Sequence, residues 1–462
     1  MNAFGYLALI AFVPLCCWVF RRLDTVVAIV AATVAGFLFL PVPKIEMVGL
    51  PDLNKFHIVG IGVICGVFAK GEAFRWRFRP NVCDALFIAN VFAMPMAYLA
   101  NGFPPYSAMS DAIGAVLFWV PAYLVGRQYL ADRRGMTILL WGYVLGALAY
   151  LPLCLWEVRM SPQLHTQLYG VFQHSFLQMV REGGYRPIVF TRHGLEVALW
   201  MATATIAAVV LWLRGGVTKL RGVPMMWVVG AVVLGLLLCR SLGSILLASI
   251  MVPAMLLRRG PLLVAVYVTI GITYLSLRLF AAPQVYDVIS SLAQLAPPDR
   301  SQSMMFRVDM EEVMMKQAWL QPWFGWTIEQ KGVQLDPWGD PEGVQGLITD
   351  SLWIIAFLGS GLVGVVSLYG TFVGACLRLW TKFRFDGAAN PERMALMAIV
   401  ATQMIDTLPN ASVAPTSILA IGALVGSTVE EAVPDPSCSE PVAESAAGEL
   451  LLRPRRRPFV DA

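Results

Sequence analysis

The chain has 462 residues, 58% of them hydrophobic and 14% charged, with a mean hydropathy of +0.67. That leaves too little polar surface to cover a water-soluble globule of this size, so the composition excludes a soluble enzyme and leaves a membrane protein. The formal charge of +4 is small, and the basic residues sit in short clusters between apolar runs, a pattern that the positive-inside bias explains without nucleic acid.

A transmembrane helix needs about 20 mostly apolar residues. Runs that meet or nearly meet this requirement lie near residues 3–20, 25–42, 56–69, 82–99, 109–126, 136–156, 194–213, 224–239, 244–257, 261–280, 351–377, 394–407 and 411–427. The reading is an all-α, polytopic helical bundle of about 12–13 transmembrane helices with a large, partly helical extracytoplasmic loop. Residues 1–280 hold helices 1–10 with an outer loop at 157–193, residues 281–350 form the large loop, 351–428 hold helices 11–13, and 429–462 read as a disordered cytoplasmic tail. Arg21 and Arg22 follow the first run instead of preceding it, which suits an uncleaved span with its amino end outside. The eight cysteines lack zinc-ligand spacing and read as inert thiols.

Lys and Arg set the orientation. Arg21/Arg22, Lys70 with Arg75, Arg127 with Arg133/Arg134, Arg214 with Lys219, Arg258/Arg259 and Arg378 with Lys382 all fall on one side, which is therefore cytoplasmic. The large outer loop carries ten acidic residues against Arg300, Arg307, Lys316 and Lys331. Residues 157–193 do the opposite, with Arg159, Arg181, Arg186 and Arg192 against Glu157 and Glu182. A basic excess on the outer face asks for a reason, and an anionic ligand is the simplest.

Candidate chemistry collects in these outer segments. Gly183-Gly-Tyr-Arg-Pro-Ile-Val-Phe-Thr-Arg-His193 turns just before a span, placing Arg186, Arg192 and His193 near the surface. Arginine grips phosphate oxygens through paired hydrogen bonds while staying charged, so this set suits a pyrophosphate; snorkelling to lipid headgroups is the competing reading. Arg240 in Leu238-Cys-Arg-Ser-Leu-Gly243 sits in a tight outer turn, where headgroup contact and function are both open. The large loop holds a helix-like stretch from Ser303 to Leu320, closed by Gln321-Pro-Trp-Phe-Gly-Trp326. On it Arg307 and Glu311 are four apart, the spacing of an intrahelical ion pair. Asp350 and Ser351 enter the next span as helix caps or as chemistry, while Asp84 and Asp406 lie in or near others. The turn Asp336-Pro-Trp-Gly-Asp-Pro341 lacks the EF-hand pattern and reads as solvated. No HExxH, Walker loop, GxSxG or contextual GxGxxG occurs, and no two of the four histidines form a metal pair on one helix.

Taken together, Tyr185-Arg-Pro-Ile-Val-Phe-Thr-Arg-His193, Cys239-Arg-Ser241, Arg307 leading to Pro322-Trp-Phe-Gly-Trp326, and Asp350-Ser-Leu-Trp into a Gly-rich span resemble the O-antigen ligase and Wzy-type polysaccharide polymerase superfamily. The likeness covers roughly the second half of the chain. One departure is Asp350-Ser351, where ligases of that family usually carry a histidine followed by Ser or Asn.

The resemblance implies a metal- and cofactor-independent inverting glycosyltransferase in the bacterial cytoplasmic membrane. Its donor is a polyprenyl-pyrophosphate-linked oligosaccharide, its surroundings are membrane lipids, and a chain-length regulator is an implied partner. Arg186, Arg192, Arg240 and Arg307 would neutralise the departing pyrophosphate, and Asp350 or His193 would take the acceptor's proton. Repeat-unit polymerisation for exopolysaccharide or O-antigen is favoured over ligation to lipid A core. A flippase for the same lipid-linked sugars is the alternative of another class, although no inverted repeat is visible.

Overall fold

The computed structural model describes residues 1–47, 51–72, 80–181, 183–257, 259–295, 298–327, 351–382 and 390–427. The chain there is almost wholly helical. Each predicted apolar run contains a helix: α1 (Ala3–Arg22), α2 (Thr25–Phe39), α3 (Lys55–Ala69), α4 (Val82–Ala100), α5 (Pro105–Tyr129) and α6 (Arg133–Met160). The outer loop adds a short α7 (Leu164–Tyr169) and a two-residue hairpin, β1 (Val180–Arg181) with β2 (Gly184–Tyr185). The chain continues through α8 (Gly194–Leu213), α9 (Met225–Leu238), α10 (Leu242–Leu256) and α11 (Gly260–Phe280). After α12 (Ala282–Ala293) and α13 (Pro298–Ala318) come α14 (Leu352–Lys382), α15 (Pro391–Asp406) and α16 (Pro415–Gly426). A second small hairpin, Lys219–Leu220 with Val223–Pro224, joins α8 to α9.

Seven of these helices, α1, α4, α5, α6, α8, α11 and α14, are long and apolar enough to cross a membrane. The protein is thus an all-α polytopic membrane protein. The shorter apolar helices α2, α3, α9, α10 and α16 have 12 to 15 residues each. Twelve-residue α16 rises only about 18 Å at 1.5 Å per residue, against a hydrocarbon core of about 30 Å. Its shortness is compensated by packing, since every residue of α16 is buried. Gly422 and Gly426, four apart, lie so close to the backbone of α5 at Tyr123 and Arg127 that a Cβ on either would collide with a carbonyl there. Without a hydrophobic drive between helices in lipid, close backbone approach through small residues is what holds such a pair.

Local chemistry sets the helix starts. Asn2, Asp24, Asn54, Asn81 and Asp132 each accept a backbone N–H in the first turn of the helix they precede. The centre of the bundle is α8, buried along almost its whole length against α6, α9, α10 and α15.

Contacts between distant segments segregate onto two faces. On one, Arg21 reaches the Ala69 carbonyl, Arg134 pairs with Asp24, Arg127 with Asp84, and Arg133 with Glu392. On the other, the Asn2 amide bonds the Tyr169 carbonyl, Lys55 bonds the Phe190 carbonyl, Asn101 bonds the Gly325 carbonyl, and Leu352 N–H bonds the Thr407 carbonyl. The first set joins segments that the Lys and Arg clusters assign to the cytoplasmic side, and the second joins segments assigned to the outer side.

The Pro322-Trp-Phe-Gly-Trp326 segment has a structural task. Helix α14 breaks at Gly361, whose φ of 65° belongs to the left-handed region. The broken backbone is completed from the large loop: Trp326 and Thr327 donate to the carbonyls of Leu358 and Gly359 at 2.7 and 3.0 Å, and Leu362 donates to Pro322 at 2.7 Å. Membrane interiors tolerate interrupted helices only when the freed groups are satisfied in this way.

Candidate functional site

The outer loop before α8 is shaped by a carboxylate that sequence reading used only in a charge count. Glu157, fully buried on the last turn of α6, accepts N–H groups from Ile188 and Val189 at 2.8 Å each and from Leu164 at 3.1 Å. Tyr150 adds its hydroxyl as acceptor for Phe190 N–H at 2.8 Å, and the Gln173 amide bonds the carbonyls of Val189 and Thr191. The 186–193 strip is thereby pinned over the membrane helices. Only the positive φ of Val189, 50°, betrays the bend this requires.

Pinning brings three chain-distant arginines toward one place. Arg186 is buried, and its Nε donates to the Cys239 carbonyl at 3.1 Å, which ties the loop to the α9–α10 turn. Arg240, in that turn with φ 48°, reaches back to the Arg181 carbonyl, its guanidinium lying over Gly184 where any Cβ would clash. Gly194 likewise leaves room for the Arg186 stem. Arg307, half-buried on α13, acts with its charge on both His193 and Asp406. Arg186 and Arg307, from separate segments, both act on His193, while Arg240 is tied to the Arg181 carbonyl of the same loop as Arg186.

His193 caps α8, its Nδ1 accepting Leu195 N–H at 2.9 Å while Nε2 faces Gln178 Oε1 at 3.4 Å. The His174 ring lies edge-on with centroids 4.4 Å apart. Burial, then His174, Arg186, Arg307 and Arg181, push the His193 pKa down to about 3. The field at this point is thus positive, and the ring is neutral near pH 7 with its proton on Nε2. With the Nδ1 lone pair occupied by the backbone, the ring offers a donor and not a base.

Other expectations land elsewhere. Arg192 forms an ion pair with Glu196, Nε to Oε1 at 2.7 Å, and its guanidinium lies 4.9 Å above the Phe56 ring. Buried Lys55 lies within electrostatic reach of both Arg192 and Glu196. Glu311 does not pair along its own helix with Arg307. It is taken by Arg278, a fully buried arginine at the outer end of α11, at 3.0 Å, while Arg278 also holds Glu312 at 2.6 Å. Ser351 and the Trp353 indole donate to the same Glu311 carboxylate, so Ser351 serves this network. Burial pushes the Glu311 carboxyl up, against Ser351 and Arg278, which pull it down. Arg278 lay inside a run read as a span, and only its position in the last turn hinted at a partner outside.

Asp84 is structural: it completes a capping box with Asn81 and bonds Arg127 at 3.0 Å and Tyr123 at 2.7 Å. His165 is buried between the Val171 carbonyl and Val42 N–H. Asp406 closes α15 beside Arg307, buried, with Asn410 bonded to its carboxylate and Oδ2 receiving no hydrogen bond among the described residues. Asp350, Glu182 and the Asp336–Pro341 turn lie outside the described residues.

A small cavity of about 20 Å³ lies between α2, α8, α15 and α16, with Glu196 at its wall. Trp200 Nε1, Thr203 Oγ1 and Gln403 Oε1 line it, buried and without partners among the described residues. Such atoms ask for water or hydroxyl groups. No group of three or more His, Cys, Asp or Glu among the described residues is placed to hold a metal.

The fold and this site define an all-α polytopic membrane protein with an arginine-rich polar site on one face. Comparison of the chain with protein-family models and with curated proteins finds no match.

Proposed function

We propose that the protein is a glycan polymerase or ligase of the bacterial cytoplasmic membrane, acting on its outer face with a polyprenyl-pyrophosphate-linked oligosaccharide as donor. The observation that carries this reading is the positive field at His193, to which Arg186 and Arg181 from one loop and Arg307 from another contribute, with Arg240 tied to the same loop. Loops this far apart in sequence gather guanidinium groups at the cost of mutual repulsion, and an anion of high charge offsets it.

In the reaction, a hydroxyl oxygen of the acceptor sugar attacks the anomeric carbon of the donor. The bond from that carbon to the pyrophosphate oxygen breaks, configuration inverts, and polyprenyl pyrophosphate leaves. Arg186, Arg240 and Arg307 stabilise the charge that grows on the leaving oxygens, a contribution that needs no metal. The hydroxyl proton passes to a carboxylate, Asp406 beside Arg307 or Asp350, since the His193 ring is held as a donor. Arg192, held by Glu196, supports the loop instead of the leaving group. Repeat-unit polymerisation is favoured over transfer to a lipid core, because this chain carries Asp350-Ser351 where the ligases it resembles carry histidine.

The test is purified protein with lipid-linked oligosaccharide. Elongation that disappears in Arg186→Ala and Arg307→Ala, with both variants still inserted in the membrane, supports the reading. Unchanged polymer in both refutes it, and movement of donor between leaflets without elongation means a transporter.

A further inference from the structure

Helix α12 follows α11 with a single residue, Ala281, between them. It therefore starts at the level at which the membrane helix ends, given about 3.5 Å of reach per residue. Its surface divides into three sectors. Tyr286, Ser290 and Ala293 share the side turned to α13, where the Tyr286 hydroxyl bonds Asp309 at 2.8 Å and Ala293 is buried. Gln284, Asp287, Ser291 and Gln294 form an exposed polar sector. Val285, Val288, Leu292 and Leu295, spaced i, i+3, i+7 and i+10, form the third. Among the described residues nothing covers this last face: Val288 is 59%, Leu292 56% and Leu295 83% exposed.

The uncovered face is continuous with surface that already meets lipid. Leu277 and Phe280 on the last turn of α11 are exposed apolar residues immediately before it. A helix with one apolar flank, one polar flank and a tether at the membrane boundary fits the interfacial helices that lie flat, with their apolar side sunk into the headgroup and acyl boundary. The polar sector carries Asp287 and no Lys or Arg, so attachment depends on apolar burial and not on anionic headgroups.

We infer that α12 is a membrane-surface helix whose Val285, Val288, Leu292 and Leu295 are inserted in the outer leaflet, with phospholipid as the partner. Through Tyr286 and Ala293 it then sets the height of α13, and with it Arg307, above the bilayer. The inference rests on the membrane reading alone and does not depend on the proposed chemistry.

The experiment places single cysteines at Leu292→Cys, Val288→Cys and Ser291→Cys in the full-length protein in phosphatidylcholine nanodiscs, with the wild-type signal subtracted. Labelling rates are compared for a sulfonated maleimide, confined to water, and a pyrene maleimide, which partitions into lipid. Insertion predicts that Ser291→Cys reacts with the sulfonated reagent at least tenfold faster than the two apolar positions, while pyrene maleimide labels those two readily. Equal rates with the sulfonated reagent would place the face in water and overturn the inference. Resistance of both apolar positions to both reagents would overturn it too, by showing that another protein surface, such as a second copy, covers the face.

Discussion

Replacing Arg278 by Met is expected to release α13 from the membrane helices. The guanidinium is fully buried and spans two carboxylates, Glu311 at 3.0 Å and Glu312 at 2.6 Å, while lying 5.7 Å from the Trp353 ring. Met preserves the aliphatic stem but leaves Glu311, itself only 2% exposed, as a buried charge supported by Ser351, Trp353 and a 3.4 Å contact from Tyr274. Removing one partner of a buried pair costs about 3–5 kcal/mol. At 1.4 kcal/mol per factor of ten, local opening of α13 should rise by about two to three and a half powers of ten. Hydrogen exchange read by mass spectrometry on peptides covering 304–318 measures this directly. The double variant Arg278→Met with Glu311→Gln removes the orphaned charge and should recover most of the protection. Acid should act in the same direction: burial already raises the Glu311 carboxyl, so lowering the pH protonates it in the folded state and shrinks the deficit of the single variant. Unchanged exchange in Arg278→Met, or a double variant less protected than the single, would refute the account.

Three further outcomes follow from the geometry. Glu157→Gln replaces the carboxyl acceptor of three backbone N–H groups with an amide that can match only part of them; a loss of about 1–3 kcal/mol is expected in denaturant unfolding, and a change below about 0.5 kcal/mol would contradict the role given to it. Gly361→Ala should fail to accumulate in the membrane, because its Cβ collides with the Trp323 carbonyl, whereas Gly102→Ala, at φ 72° with open space around it, should lose only about 1–2 kcal/mol of backbone strain; similar behaviour of the two would sink the idea of a locked break. His193, held near pKa 3, stays neutral from pH 5 to 8 when folded, so His193→Gln should leave the acid limb of any activity profile where it is. Below about pH 6.5 an unfolded histidine binds a proton that the folded one refuses, so stability from this group is present near neutrality and lost as pH falls toward 3; an acid limb that moves with the substitution would show that the ring titrates in function.

The sequence alone determined that the chain belongs in a membrane and where its helices lie, because hydropathy is a property of composition along one dimension. It also singled out Arg186, Arg192, Arg240 and Arg307 by their presence on the face where basic residues are scarce. What it could not decide was pairing. Arg307 and Glu311 are four apart on one helix, yet Glu311 belongs to Arg278, because burial at the foot of α13 selects the cation arriving from α11 over the one beside it on a more open flank. Arg192 and Glu196 are also four apart, and they do pair, with the Phe56 ring beneath. The same spacing thus gives opposite results, and only the tertiary packing separates them. Pro322-Trp-Phe-Gly-Trp326, conspicuous as a motif, turned out to complete a broken helix some 35 residues further along, since backbone groups freed within an apolar surround must be satisfied by whichever segment the fold brings alongside.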